Sequence, residues 1–141
     1  MDRDLGLAVA ELKREGCSLA VARDNQVIFT SQHPGVAGLL EALDKGLLPG
    51  SALADKVIGR AAAMIAVAGG VKSVYTPLIS VGGQQALEQA GLDFIAEKSV
   101  PGIINRQGTG PCPMEEATKD IDDPAAAVAA VGKRLAQLMG K

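Results

Sequence analysis

Between Ser51 and Gly70 the chain is apolar except for Asp55, Lys56 and Arg60, and its middle, Val57 to Ala68, is dense in alanine. A segment with so few polar residues has no face to offer water and belongs inside a protein, so the rest of the chain must be arranged around it. The alanines favour a helix over 51–70. Ser51 is its expected N-cap, and Gly69-Gly70 supplies a left-handed stop. On that helix Lys56 and Arg60 stand four residues apart and share a face. Like charges at this spacing repel and need a negative neighbour, of which Asp55 supplies one. Gly59 lies inside the same run, where glycine disfavours a helix by up to about 1 kcal/mol relative to alanine. Its missing side chain therefore points to close packing or close approach of a ligand.

A core for this segment must come from small residues. Hydrophobic residues make up 48% of the 141, but aromatics only 2%. The length suits one domain, 1–141, with a sizeable interior. A net charge of −2, without a dense Lys/Arg cluster or interleaved aromatics, argues against a nucleic-acid partner. No apolar run approaches the roughly 20 residues needed to span a bilayer, and Met-Asp-Arg-Asp does not open like a secretory signal, so no membrane association is expected. Cys17 and Cys112, far apart, make no disulfide framework, which fits a reducing, cytoplasmic setting.

In chain order, Leu5 to Leu12 has helical spacing and stops before Glu15-Gly16. Residues 17–22 and 27–30 are β-favouring and flank Arg23-Asp24-Asn25-Gln26, a hairpin. Pro34-Gly35 opens a second amphipathic helix that ends at Gly46. Beyond Gly70, residues 71–76 predict a strand that Pro77 limits, 81–90 a helix capped by Ser80, and 92–100 a second strand. Strand, helix and strand with short links make a parallel βαβ unit, whose sheet needs helices over it. Residues 102–123 form a long loop, and Asp123-Pro124 starts a final helix.

Two stretches could carry chemistry. Asp55, Lys56 and Arg60, beside Gly59, could hold an anion such as a phosphate, carboxylate or nucleotide fragment, or could be a structural ion pair at a helix start. The loop Asn105-Arg106-Gln107-Gly108-Thr109-Gly110-Pro111-Cys112 could turn backbone N–H groups towards an anion with Arg106 adding charge, or could be a simple turn. It matches neither a P-loop nor a dinucleotide fingerprint. Cys112 could be a nucleophile with Arg106 lowering its pKa, but the one histidine, His33, is remote in sequence and an inert thiol is the alternative. No His/Cys/Asp/Glu spacing fits a metal, and no cofactor is implied.

The two motifs Asp55-Lys56-Val57-Ile58-Gly59-Arg60-Ala61-Ala62-Ala63 and Asn105-Arg106-x-Gly108-Thr109-Gly110-Pro111-Cys112-Pro113-Met114-Glu115, with the order of elements, resemble an uncharacterised bacterial family with a cytidine-deaminase-like fold. The resemblance covers nearly the whole chain. It implies an α/β protein, a three-layer α/β/α sandwich with a mixed sheet. It does not imply deamination, which needs H-x-E or C-x-E paired with P-C-x-x-C around zinc. Where H-x-E would open the central helix stands Asp55-Lys56-Val57-Ile58-Gly59, and where P-C-x-x-C would follow the next strand stands Pro77-Leu78-Ile79-Ser80. Pro111-Cys112-Pro113-Met114-Glu115 lies after the second crossover strand, the wrong place in the chain for it.

The function expected from these residues is binding of a small anionic or nucleotide-like molecule without zinc-dependent deamination. The binding set is Asp55, Lys56, Gly59, Arg60, Asn105, Arg106, Gly108, Thr109, Gly110, Cys112 and Glu115. The alternatives are a group-transfer enzyme using Cys112, or Asp55 with Lys56, and a non-catalytic subunit whose apolar helices assemble a homo-oligomer.

Overall fold

The computed structural model describes residues 2–14, 16–33, 36–103 and 112–138. Helix α1 (Arg3–Leu12) begins at Asp2, whose Oδ1 accepts from the Leu5 N–H at 2.9 Å, and buries Leu5, Ala8, Val9 and Leu12 along one stripe. Strands β1 (Leu19–Arg23) and β2 (Gln26–Ser31) form the expected hairpin. It turns through Asp24 and Asn25, both at positive φ (55° and 65°), a conformation these residues tolerate better than most. Helix α2 (Ala37–Asp44) follows; Pro34-Gly35, expected to open it, lie outside the described residues.

The stretch from Ser51 onward departs from expectation. Residues 52–58 are not helical: β3 (Ala52–Asp55) and β4 (Val57–Ile58) precede helix α3 (Arg60–Gly69). Ser51 does not cap a helix; its hydroxyl donates to the Leu48 carbonyl at 2.7 Å. The reason is tertiary. Ala52 to Asp55 pairs with β1 on one side, while Ala52 to Ala54 pairs on the other with β5 (Ser73–Ser80), and a strand buried within a sheet has no polar alternation to betray it. Gly70 does end α3 as expected, at φ 78°. Ser80 caps α4 (Val81–Gln89), its Oγ accepting from the Gly83 N–H at 3.0 Å. Then come β6 (Asp93–Val100), the short α5 (Pro113–Thr118), which falls where only loop was expected, and α6 (Pro124–Leu138), capped by Asp123 through the Ala126 N–H at 3.0 Å.

The six strands form one mixed sheet. β1 pairs antiparallel with β2 and β3; β3, β4 and β6 all pair parallel with β5, β3 and β4 end to end along one side of it. The two faces differ in side-chain size. Ala20, Ala22, Ala52 and Ala54, with Tyr75, make a low surface on which α1 packs. Leu19, Val21, Leu53 and Val74 project the other way into the larger core around α3. Helices α5 and α6 pack on α3 in turn, so α3 is covered on nearly every side, which accounts for its apolar composition beyond Arg60.

β3/β4 and β5 share an irregularity. Leu53 and Ile58 both enter the α3 core, as do Val74 and Ile79, yet residues five apart in a regular strand face opposite ways. Both strands reverse face between these pairs, and both keep one register across the break. Pro77 lies level with Lys56 at that break. Thus β5 does not end at Pro77 as its ring would suggest, because the ladder is already interrupted where the proline lacks its N–H.

Candidate functional site

Asp55 stands at the interruption. It is 7% exposed, and the backbone N–H groups of Val57 and Lys56 lie near its carboxylate. Burial pushes its pKa up to about 7, against those two N–H groups, which favour the charged form. Lys56 is exposed, and its backbone N–H donates to the Ser18 carbonyl at 3.2 Å. Lys56 precedes the helix and Arg60 begins it, so the two are not neighbours at i,i+4 on one helix face, and the repulsion inferred on that basis is absent.

Gly59 is the N-cap of α3, not an interior residue, in an extended conformation (φ −94°, ψ −172°) that any residue can adopt. Its lack of a side chain has a spatial cause. A Cβ there would lie 1.9 Å from Glu115 Oε1 and 3.2 Å from Ile103 Cγ1. Glu115 reaches in from the first turn of α5 and accepts the Arg60 N–H at 2.5 Å, performing in trans the capping that glycine cannot perform itself. The start of α4 meets the same place. A Cβ on Gly83 would lie 2.9 Å from the Ile58 carbonyl oxygen, and one on Gly82 would lie 3.7 Å from Glu115 Oε2. Two parallel strands thus end, and two helices begin, around one carboxylate. Burial raises the Glu115 pKa, opposed by the Arg60 N–H and the Arg60 charge.

The Arg60 side chain runs past Gly82, and its guanidinium is engaged beyond the junction. Its Nε donates to the Thr118 carbonyl at 2.8 Å, and one terminal nitrogen donates to the Ile121 carbonyl and to Asp122 Oδ1 (3.1 Å). Only 10% exposed, it ties α3 to the turn between α5 and α6. Cys112 is half-buried at the start of α5, its N–H donating to the Ile103 carbonyl at 2.8 Å, which brings together the two ends of 104–111. Asn105, Arg106, Gly108, Thr109 and Gly110 lie outside the described residues. The structure therefore brings Gly59, the Arg60 backbone and Glu115 together, with Ile103 in contact.

The sequence reading missed the part of α4. Gly82-Gly83, one residue beyond a capping serine, was the available signal, since paired glycines in a first turn point to a close neighbour. Among the described residues no group of three or more His, Cys, Asp or Glu side chains could hold a metal ion. Two open clefts lie elsewhere: about 190 Å³ beside Glu11, Cys17 and Gln32, and about 420 Å³ beside Leu5, Ser73 and Ile95.

The family described as TM1506, a domain of unknown function (DUF1893), matches residues 7–135. The chain belongs to the DUF1893 family. A crystal structure at 2.70 Å of a DUF1893 protein from Thermotoga maritima superposes with a TM-score of 0.86 at 23% identity, over 95% of this chain and 92% of the other. At that identity the likeness speaks for the fold. No curated protein matches the chain. The deciding stretches of the family resemblance, 55–63 and 105–115, both fall within the DUF1893 match, and Gly59 and Glu115, one from each, touch in space.

Proposed function

We propose that this DUF1893 protein has a cytidine-deaminase-like architecture that binds a small anionic, nucleotide-like molecule in a cytoplasmic setting without zinc-dependent deamination. The binding place is the junction beyond the C-terminal ends of β4 and β5, the end of the strands at which open α/β sheets commonly take ligands. One observation carries the reading: the first N–H of α3 is already bonded to an anionic oxygen, Glu115 Oε1 at 2.5 Å, beside the start of α4. A helix start that accepts a carboxylate accepts phosphate by the same electrostatics. In this reading Glu115 competes with the ligand and exposed Lys56 attracts it. Arg60 contributes its backbone, not its guanidinium.

The test is calorimetric titration of AMP, CMP and inorganic phosphate into wild type, Lys56→Ala and Glu115→Gln. Lys56→Ala should weaken the interaction about tenfold, the loss of one charged hydrogen bond, while Glu115→Gln should tighten it by removing the competing charge. No heat from any of the three compounds, or identical affinities in all three proteins, would dispose of the junction as an anion site. A second reading has its own observation. An Asp55 carboxyl with a pKa near 7 is poised for proton transfer, as group-transfer chemistry by Asp55 with Lys56 requires.

A further inference from the structure

β6 is the long outer strand of the sheet, and among the described residues nothing pairs with its free edge. Unpaired edges are usually blunted, because a row of open N–H and C=O groups invites another strand. Here the edge carries Ile95, 42% exposed, and a central Glu97-Lys98 pair. α1 packs on β1, β3 and part of β5, and only Leu5 at its start comes near β6, across an open cleft beside Ile95, so among the described residues the α1 face of this strand is little covered.

β6 also continues the face reversal of β5. The Glu97 carboxylate accepts a hydrogen bond from the Tyr75 hydroxyl, which belongs to the α1 face, whereas Ser99 Oγ donates to Gln84 Oε1 (3.4 Å) of α4, on the opposite face. Residues two apart in a regular strand share a face, so the alternation reverses between 97 and 99. A strand with such a reversal can pair antiparallel with a copy of itself and keep side chains in step only if the two-fold axis passes through the reversal. An axis between Glu97 and Lys98 places Glu97 opposite Lys98 twice, Ala96 opposite Ser99 and Ile95 opposite Val100. Opposite charges and apolar residues then fall together, and cross-strand pairs of this kind are what stabilise a sheet.

The geometry points to a homodimer formed by antiparallel β6–β6 pairing about the Glu97-Lys98 step, which joins the two sheets into one. The occupant of the edge is a second copy of this chain because the edge is complementary to itself in both charge and face. It does not depend on the anion-binding reading, since the junction lies at the starts of α3 and α4.

The experiment is sedimentation equilibrium on the full chain for wild type, Lys98→Glu and the double exchange Glu97→Lys with Lys98→Glu, each checked for folding by circular dichroism. Wild type should fit a dimer of twice the chain mass. Lys98→Glu sets Glu97 against a second carboxylate at both contacts and should raise the dissociation constant at least about tenfold. The double exchange restores opposite charges and should return the constant to within about threefold of wild type. A monomeric wild type, a Lys98→Glu protein that dimerises as well as wild type, or a double exchange no better than the single change each overturns the proposal.

Discussion

At Asp55 burial outweighs two backbone donors, and the carboxyl loses its proton near pH 7 where an unfolded chain loses it near 3.8. Between those values the folded protein binds the extra proton, so stability falls as pH rises from about 4 to about 7 and levels off above. The span corresponds to up to about 4 kcal/mol from this group. Glu115, also raised, works in the same direction. Asp2 and Asp4 are lowered, by the Leu5 N–H and by Lys72 respectively, and work in the opposite one, losing their contribution as pH falls. Asp55→Asn should therefore raise the urea midpoint at pH 8, by less at pH 5 and little near pH 3.5, and flatten the slope between. Parallel profiles for the two proteins would mean that the carboxyl ionises normally. None of this was legible in the sequence, because Asp55 beside Lys56 reads as an exposed charge pair until both neighbouring strands are known to enclose the aspartate.

Among the elements, α5 and α6 owe their seat on α3 largely to one side chain. Arg60 offers a planar fork to two carbonyls and a carboxylate, and lysine has the charge without the fork. Arg60→Lys should destabilise by about 1.5 to 3 kcal/mol in urea and should speed amide exchange in 113–138 more than in the strands. Uniform exchange, or an unchanged midpoint, would show that α5 and α6 are held by packing alone. The helices with capping residues were legible: Asp123, Ser80 and Gly70 each act as read. α5 was not, since six residues carry too little periodicity to stand out from a loop rich in turn formers.

For the whole molecule, zinc-dependent deamination would need donors at two helix starts. The start of α3 offers Gly59 and Arg60, that of α4 offers Ser80, Val81, Gly82 and Gly83, and among the described residues the acidic group seen between them is Glu115. One carboxylate does not make a zinc site, which needs three protein ligands even when a water completes it. Elemental analysis of the purified protein should find no stoichiometric zinc, and cytidine, deoxycytidine and adenosine should remain unreacted on prolonged incubation. Stoichiometric zinc lost on changing Cys112 and Glu115 to alanine would show that the 111–115 stretch binds metal after all.

Local signals determined what local energies decide: the hairpin turn at Asp24-Asn25, the caps of α4 and α6, the strand after Gly70 and the stop of α3 all depend on residues close in sequence. Burial of the alanine-rich centre was also legible, because few polar groups permit no other place. Whether its first part is helix or strand was not, for Ala52-Leu53-Ala54 favours a helix alone and becomes a strand only by pairing with β1 and β5. The same holds for the junction at Gly59. A glycine before a helix and a glutamate 55 residues on from Arg60 acquire meaning together only when the fold sets one against the other, since a hydrogen bond acts over ångströms and not over positions in a chain.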